Sequence, residues 1–140
     1  LRDQVGVAAQ GEQLFEAPSS RPPGYTRDLG ARGIQWAIAQ PGAGLLLAFD
    51  GPTLIGLSSV YADIQSIRFG RRCWLQDLVV RSDRRSAGIG AALIAASRDW
   101  ARLHGCTHLE LASGAARTDA RIEHHGTGVD GHARYVTAIT

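Results

Sequence analysis

Lysine and methionine are absent from this 140-residue chain, cysteine occurs only twice, and aromatic residues make up 6% of it. Without lysine there is no Gly-Lys-Ser or Gly-Lys-Thr, which excludes a P-loop closing on nucleotide phosphates. Cys73 and Cys106 lack paired spacing and have apolar or strand-like neighbours. They point to reduced, buried thiols, not to a disulfide framework or a zinc centre. His104 and His108 are four apart, but Gly105 between them reads as a helix end. They would share no helical face as ligands, and no metal site is expected. Neither a run of about 18 apolar residues nor a basic-apolar-small leader is found, so a soluble cytoplasmic protein with no membrane partner is expected. The missing methionine predicts a natural start that lies upstream or was removed.

What is present suits one globular domain spanning residues 1–140, with 44% apolar and 20% charged residues. The net charge is only +2, yet all fifteen basic residues are arginine, and six of them are Arg68, Arg71, Arg72, Arg81, Arg84 and Arg85. Such a cluster fits a nucleic-acid footprint, a solvated face or the rim of an anionic cofactor site. It shows no aromatic interleaving of the kind used to stack bases, so the rim is the simplest account and no nucleic-acid partner is expected. A solvated face is expected for Arg68, Arg71 and Arg72.

Residues 1–40 carry little pattern. The stretch 18–24, rich in Pro and Ser, breaks any regular element, while Ile34 and Ile38 predict a short helix ending before Gln40-Pro41-Gly42. Apolar runs at 45–49 and 54–61, joined by Asp50-Gly51-Pro52, read as a hairpin, and 72–80 reads as a third strand. The helix after the loop that follows 72–80 places Ile89, Leu93, Ala96, Trp100 and Leu103 on one face and stops at Gly105. The strand at 109–112 would pair in parallel with 72–80 through a right-handed crossover. Residues 119–125 predict a short last helix, and 134–139 a closing strand.

Between the third strand and that helix lies Arg85-Ser86-Ala87-Gly88-Ile89-Gly90. A loop of small residues opening a helix directs free backbone N–H groups at one spot, where the helix dipole adds partial positive charge. Gly88 and Gly90 let an oxyanion approach the main chain, and Arg85 can grip a phosphate through its fork. Gly-Ile-Gly alone also fits a plain strand-to-helix turn. A dinucleotide turn competes as well, with Glu110 near its acidic position. Seven residues separate Val80 from Gly88, however, and Leu93 stands where a third glycine belongs.

The stretch Leu75-Gln76-Asp77-Leu78-Val79-Val80 followed by Arg85 to Leu93 resembles motif A of the GNAT superfamily of acyl-CoA-dependent N-acetyltransferases, whose signature is Arg or Gln, two residues, Gly, one residue, Gly or Ala. The likeness continues weakly to Arg117 and covers about half the chain. It implies an α/β fold with a mixed, mostly antiparallel sheet flanked by helices and a parallel strand pair around the loop. It also implies acetyl-CoA as co-substrate. Leu78, Val79 and Val80 would take the pantetheine arm through their backbone. Arg85, Ser86, Ala87, Gly88, Ile89, Gly90 and Ala91 would take the pyrophosphate.

Acetyl transfer to an amine needs a polarised thioester carbonyl, a deprotonated amine and a proton for the leaving thiolate, and direct attack requires no covalent nucleophile. In many GNAT proteins a glutamate on the strand before the loop helps deprotonate the amine, and a tyrosine in the last helix protonates the thiolate. Here Gln76 stands at the glutamate position, able to orient an amine or a water but not to act as a base. Strand alternation turns Asp77 to the other face unless a bulge intervenes. The last-helix tyrosine is missing too, leaving Glu123, His124 and Tyr135 as possible substitutes. The expected function is acetylation of a primary amine on a small molecule or peptide. The alternative is a non-catalytic acyl-CoA-binding module. Uncovered sheet edges would suit a homodimer.

Overall fold

In the computed structural model, which describes residues 4–17, 21–112, 123–127 and 133–138, two helices precede a strand meander. These are α1 (Gln4–Leu14) and α2 (Arg27–Ala39), then β1 (Ala43–Asp50), β2 (Thr53–Ser66) and β3 (Gly70–Val80). After them come α3 (Ile89–Leu103), β4 (His108–Ala112), β5 (Glu123–Thr127) and β6 (Ala133–Ala138). The sheet order is β1-β2-β3-β4-β6-β5. Among the described residues only β3 and β4 run parallel; the other neighbours are antiparallel. This is the expected α/β arrangement, with the parallel pair flanking the glycine loop. No helix among the described residues is long and apolar enough to cross a membrane.

Alternation along β2 divides the core between two faces. Ser58 and Val60 face α3: the Ser58 and Ser97 hydroxyls lie 2.9 Å apart, and Val60 packs with Leu75, Ile94, Leu109 and Leu111. Leu57 faces the other way, packing with Leu14 and Leu54 beneath α1.

The first helix has no counterpart in the sequence reading. Its buried residues include Val7, Ala8, Gly11 and Leu14, a stripe of small side chains that hydrophobic periodicity registers poorly. A Cβ on Gly11 would stand 2.8 Å from Ile34 Cδ1, so the glycine lets α2 and β2 close on α1. The second helix ends where expected. It is capped by Thr26, whose side chain accepts from the Leu29 N–H at 3.0 Å.

The expected face of α3 requires correction. It buries Gly90, Leu93, Ile94, Ser97 and Ala101, while Leu103 is 84% exposed. Ser97 reads as polar, yet its hydroxyl donates to Leu93 O at 2.8 Å and meets Ser58, which satisfies it inside the core. The buried seam is accordingly rotated by roughly one position from the purely apolar one. Trp100 is partly buried; it stacks on His104 at 3.9 Å and lies over the β1 backbone. A Cβ on Gly44 would be 2.5 Å from its Nε1 and 2.6 Å from its Cε2. Gly44→Ala is expected to destabilise the fold by about 1–3 kcal/mol, read as a lower urea midpoint at constant m-value. An unchanged midpoint would show that the indole yields freely.

The helix expected at 119–125 is also corrected. Glu123 and His124 belong to β5, opposite Val136 and Tyr135 of β6, whereas 119–122 lie outside the described residues. The short polar run has no strong periodicity of its own, and pairing with β6 decides its conformation.

Candidate active site

At the end of β3 the Arg81 N–H donates to Ile55 O at 2.8 Å, and a single 3-10 turn follows at Ser82–Arg84. Arg81 pairs with Asp83 and Arg84 with Asp50, which ties the loop to itself and to the end of β1. Ser86 (φ 67) and Gly88 (φ 82, ψ 4) adopt left-handed conformations, a geometry that turns successive main-chain N–H groups toward one point. Gly88 is the N-cap of α3 and provides no side-chain cap. The first N–H groups of the helix, at Ile89, Gly90 and Ala91, have no partner within the helix itself. A Cβ on Gly88 would meet nothing within 4 Å, so the space before these amides is open. Arg85 is exposed at the rim, its Nε 3.4 Å from Val80 O. The residues expected to bind the pyrophosphate, 85–91, thus form one turn that suits an anion.

Beside it the sheet divides. Pairing of β3 with β4 runs from Arg72↔His108 only to Leu75↔Leu111, while pairing with β2 continues to Gly56↔Val80. Among the described residues, Leu78, Val79 and Val80 therefore have a strand neighbour on one side only. Backbone groups along such an edge can accept an extended ligand, as an added strand would be accepted.

The same strand carries a bulge. Ser59 pairs with Asp77 and Val60 with Leu75, leaving Gln76 as the extra residue. The insertion resets the alternation. Cys73, Leu75 and Leu78 pack toward α3, whereas Val79 joins the cluster under α1 and Asp77 lines a cavity between α1, α2 and the sheet. Gln76 is exposed, its Oε1 accepting from Trp74 Nε1 at 2.7 Å, and it does not line that cavity.

The cavity holds ≈ 240 Å³. Phe15, Ile34, Ala37, Leu45 and Leu57 supply apolar wall, and Ser59, Tyr61 and Asp77 a polar patch. Asp77 Oδ2 accepts from Ser59 Oγ at 2.7 Å, and that hydroxyl accepts from the Asp77 N–H at 3.0 Å. Burial pushes the Asp77 carboxyl above the ordinary carboxylate range, and the Ser59 bond partly offsets this. Burial, assisted by the charge of Asp77, also raises the Tyr61 phenol. A second carboxylate, Glu12, is only 3% exposed. Its Oε1 accepts from Tyr25 OH at 2.7 Å and lies 3.4 Å from Arg21 Nη2. The Tyr25 phenol is pushed up to about 12, by burial first and then by Glu12. Asp77, by contrast, has a neutral hydroxyl for its partner.

Sequence reasoning missed Glu12, Tyr25 and Ser59, because their roles depend on contacts between distant segments. It also misjudged Arg72. Instead of joining a solvated face, Arg72 pairs with Asp63 at 2.8 Å and Glu110 at 3.3 Å and lies over the Trp74 ring. Glu110, the acid of the competing dinucleotide reading, is engaged there. Arg68 and Arg71 are exposed, as expected. Among the substitutes considered for the missing tyrosine, Tyr135 lies in β6 opposite Leu111 of β4 and His124 of β5, and Glu123 lies opposite Val136.

Residues 11–125 match the Acetyltransferase (GNAT) family. Over 55 residues the chain is 42% identical to the uncharacterized N-acetyltransferase YhdJ of Bacillus subtilis (strain 168), a stretch covering 39% of each chain. The chain thus spans well under half the length of that curated relative. Among solved structures it resembles an acetyltransferase of Thermus thermophilus, with a TM-score of 0.72 at 19% identity, covering 96% of this chain and 92% of that one. It also resembles an aminoglycoside 6'-N-acetyltransferase complexed with coenzyme A, with a TM-score of 0.70 at 15% identity and the same coverage. At such identities the likeness is one of fold.

Proposed function

The chain belongs to the Acetyltransferase (GNAT) family, and from that premise we propose that it moves the acetyl group of acetyl-CoA to the primary amine of a small molecule by direct attack. The similar fold complexed with coenzyme A supports this choice of donor. The residues present fit it: amides of 85–91 would hold the diphosphate, and the one-sided edge at Leu78, Val79 and Val80 would hold the pantetheine arm. When bound, acetyl-CoA supplies an activated acyl carbon.

The observation that carries the reading is Asp77, a half-buried carboxylate facing a cavity beside that edge. An amine reaches neutral water as an ammonium and must lose a proton before it can attack. Asp77 takes this role instead of Gln76: its raised proton affinity suits it to accept the proton, and Ser59 fixes the receiving oxygen. The freed nitrogen bonds to the acyl carbon as the carbon–sulfur bond breaks, the bonded nitrogen gives up its second proton, and the departing thiolate takes up one proton, so that one proton is released overall. Tyr135, His124 and Glu123, in the hairpin next to β4, are the candidate donors of the thiolate's proton.

Thiol release from acetyl-CoA should depend on added amine, and the acetylated amine should be detectable by mass. Binding of acetyl-CoA with no release on any primary amine would leave the non-catalytic module as the function.

A further inference from the structure

We propose that the acceptor is a compact amine with an apolar body, an alkylamine or arylalkylamine, and not a polyamine, an aminoglycoside or an amino acid. This rests on the acetyl-transfer reading, and three properties of the cavity carry it. The first is charge: Glu12 and Asp77 both line the space, but Glu12 is already held by Tyr25 and Arg21. One carboxylate is left to meet one ammonium. Further cationic groups on the acceptor would lie against apolar wall without a counter-charge, which is costly. No arginine or histidine lines the cavity among the described residues, so a carboxylate on the acceptor would meet Asp77 with no cation to offset the repulsion.

The second property is surface. Phe15, Ile34, Leu45 and Leu57 offer hydrocarbon to whatever follows the amine. The third is size. The ≈ 240 Å³ available falls below the roughly 300–1,000 Å³ of sites for drug-sized ligands, which suits a compact acceptor.

Gly33 of α2 provides a test without disturbing the core. It lines the cavity, and a Cβ there would meet nothing within 4 Å. Gly33→Leu should therefore narrow the mouth while favouring the helix. The probes are 2-phenylethylamine, 1,4-diaminobutane, β-alanine and kanamycin, assayed by thiol release and by calorimetry on the CoA-saturated protein. We expect kcat/KM for 2-phenylethylamine to exceed that of the other three by about tenfold or more. Gly33→Leu should raise its KM about tenfold, with acetyl-CoA affinity unchanged within about twofold. Preference for diaminobutane, β-alanine or kanamycin would overturn the acceptor assignment and leave acetyl transfer standing. If 2-phenylethylamine binds in a Gly33→Leu-sensitive way but no thiol is released, the acceptor chemistry holds and the acetyl-transfer reading fails. Failure of 2-phenylethylamine to bind overturns the assignment.

Discussion

Replacing Asp77 by asparagine is expected to lower kcat/KM for the amine by about 100-fold or more at neutral pH and, in the same protein, to raise the melting temperature by a few degrees. The two effects share a cause. Burial lifts the Asp77 carboxyl above its ordinary value, so the folded chain binds this proton more tightly than the unfolded chain does. The group's contribution to stability is then fully present at low pH and is lost as pH rises through the raised folded value. Above that point the native protein holds a partly desolvated anion whose close partner is the neutral Ser59 hydroxyl. Asparagine keeps an acceptor for Ser59 and carries no charge. The melting-temperature gap between variant and parent should accordingly open from about pH 4 upward. Over the same range the parent's kcat/KM should climb as Asp77 ionises, and the variant's profile should lack that limb. Scanning fluorimetry and a pH–rate profile check both. A variant as active as the parent would remove Asp77 from the reaction, and one less stable at every pH would show that the carboxylate stabilises the fold.

The parts of the site legible in the sequence are those fixed by local rules. Gly88 had to be glycine or strained, because its φ of 82° lies in the left-handed region. The apolar runs of β1, β2 and β3 carry their conformation in their composition. The rest depends on partners that local pattern does not name. Whether Gln76 or Asp77 faces the cavity is decided by a one-residue slip against Ser59 and Val60, a property of the strand pair. Sequence reading could state the condition, a bulge, but not whether it was met. The buried Glu12 joins residues nine and thirteen positions away, and nothing near it in sequence marks it as different from a surface glutamate. The phase of α3 was missed because a serine with both hydroxyl contacts supplied belongs to the core as readily as a leucine. In each case a tertiary contact overrode an average tendency, and two of the three fall at the cavity.

Gly88→Glu should weaken acetyl-CoA binding by about 100-fold or more while leaving the fold largely intact. The glycine holds the N-cap of α3 with open space before it, and every N–H it leaves exposed is one a diphosphate would use. A glutamate there places a carboxylate at the positive end of the helix, where it is itself favoured. That gain opposes the roughly 1–2 kcal/mol of holding an L-residue in the left-handed region, so the melting temperature should move little. Binding has no such compensation: the carboxylate fills the cradle and repels the ligand's charge, and a hundredfold loss corresponds to about 2.7 kcal/mol. Gly88→Ala separates the two contributions. It carries the backbone strain but no charge, and should retain most of the affinity at low ionic strength. Calorimetric titration of the three proteins with acetyl-CoA decides the matter. If the glutamate variant binds as tightly as the parent, the diphosphate lies elsewhere. If alanine and glutamate weaken binding equally, the loop acts through its shape, and the exposed amides are not what holds the anion.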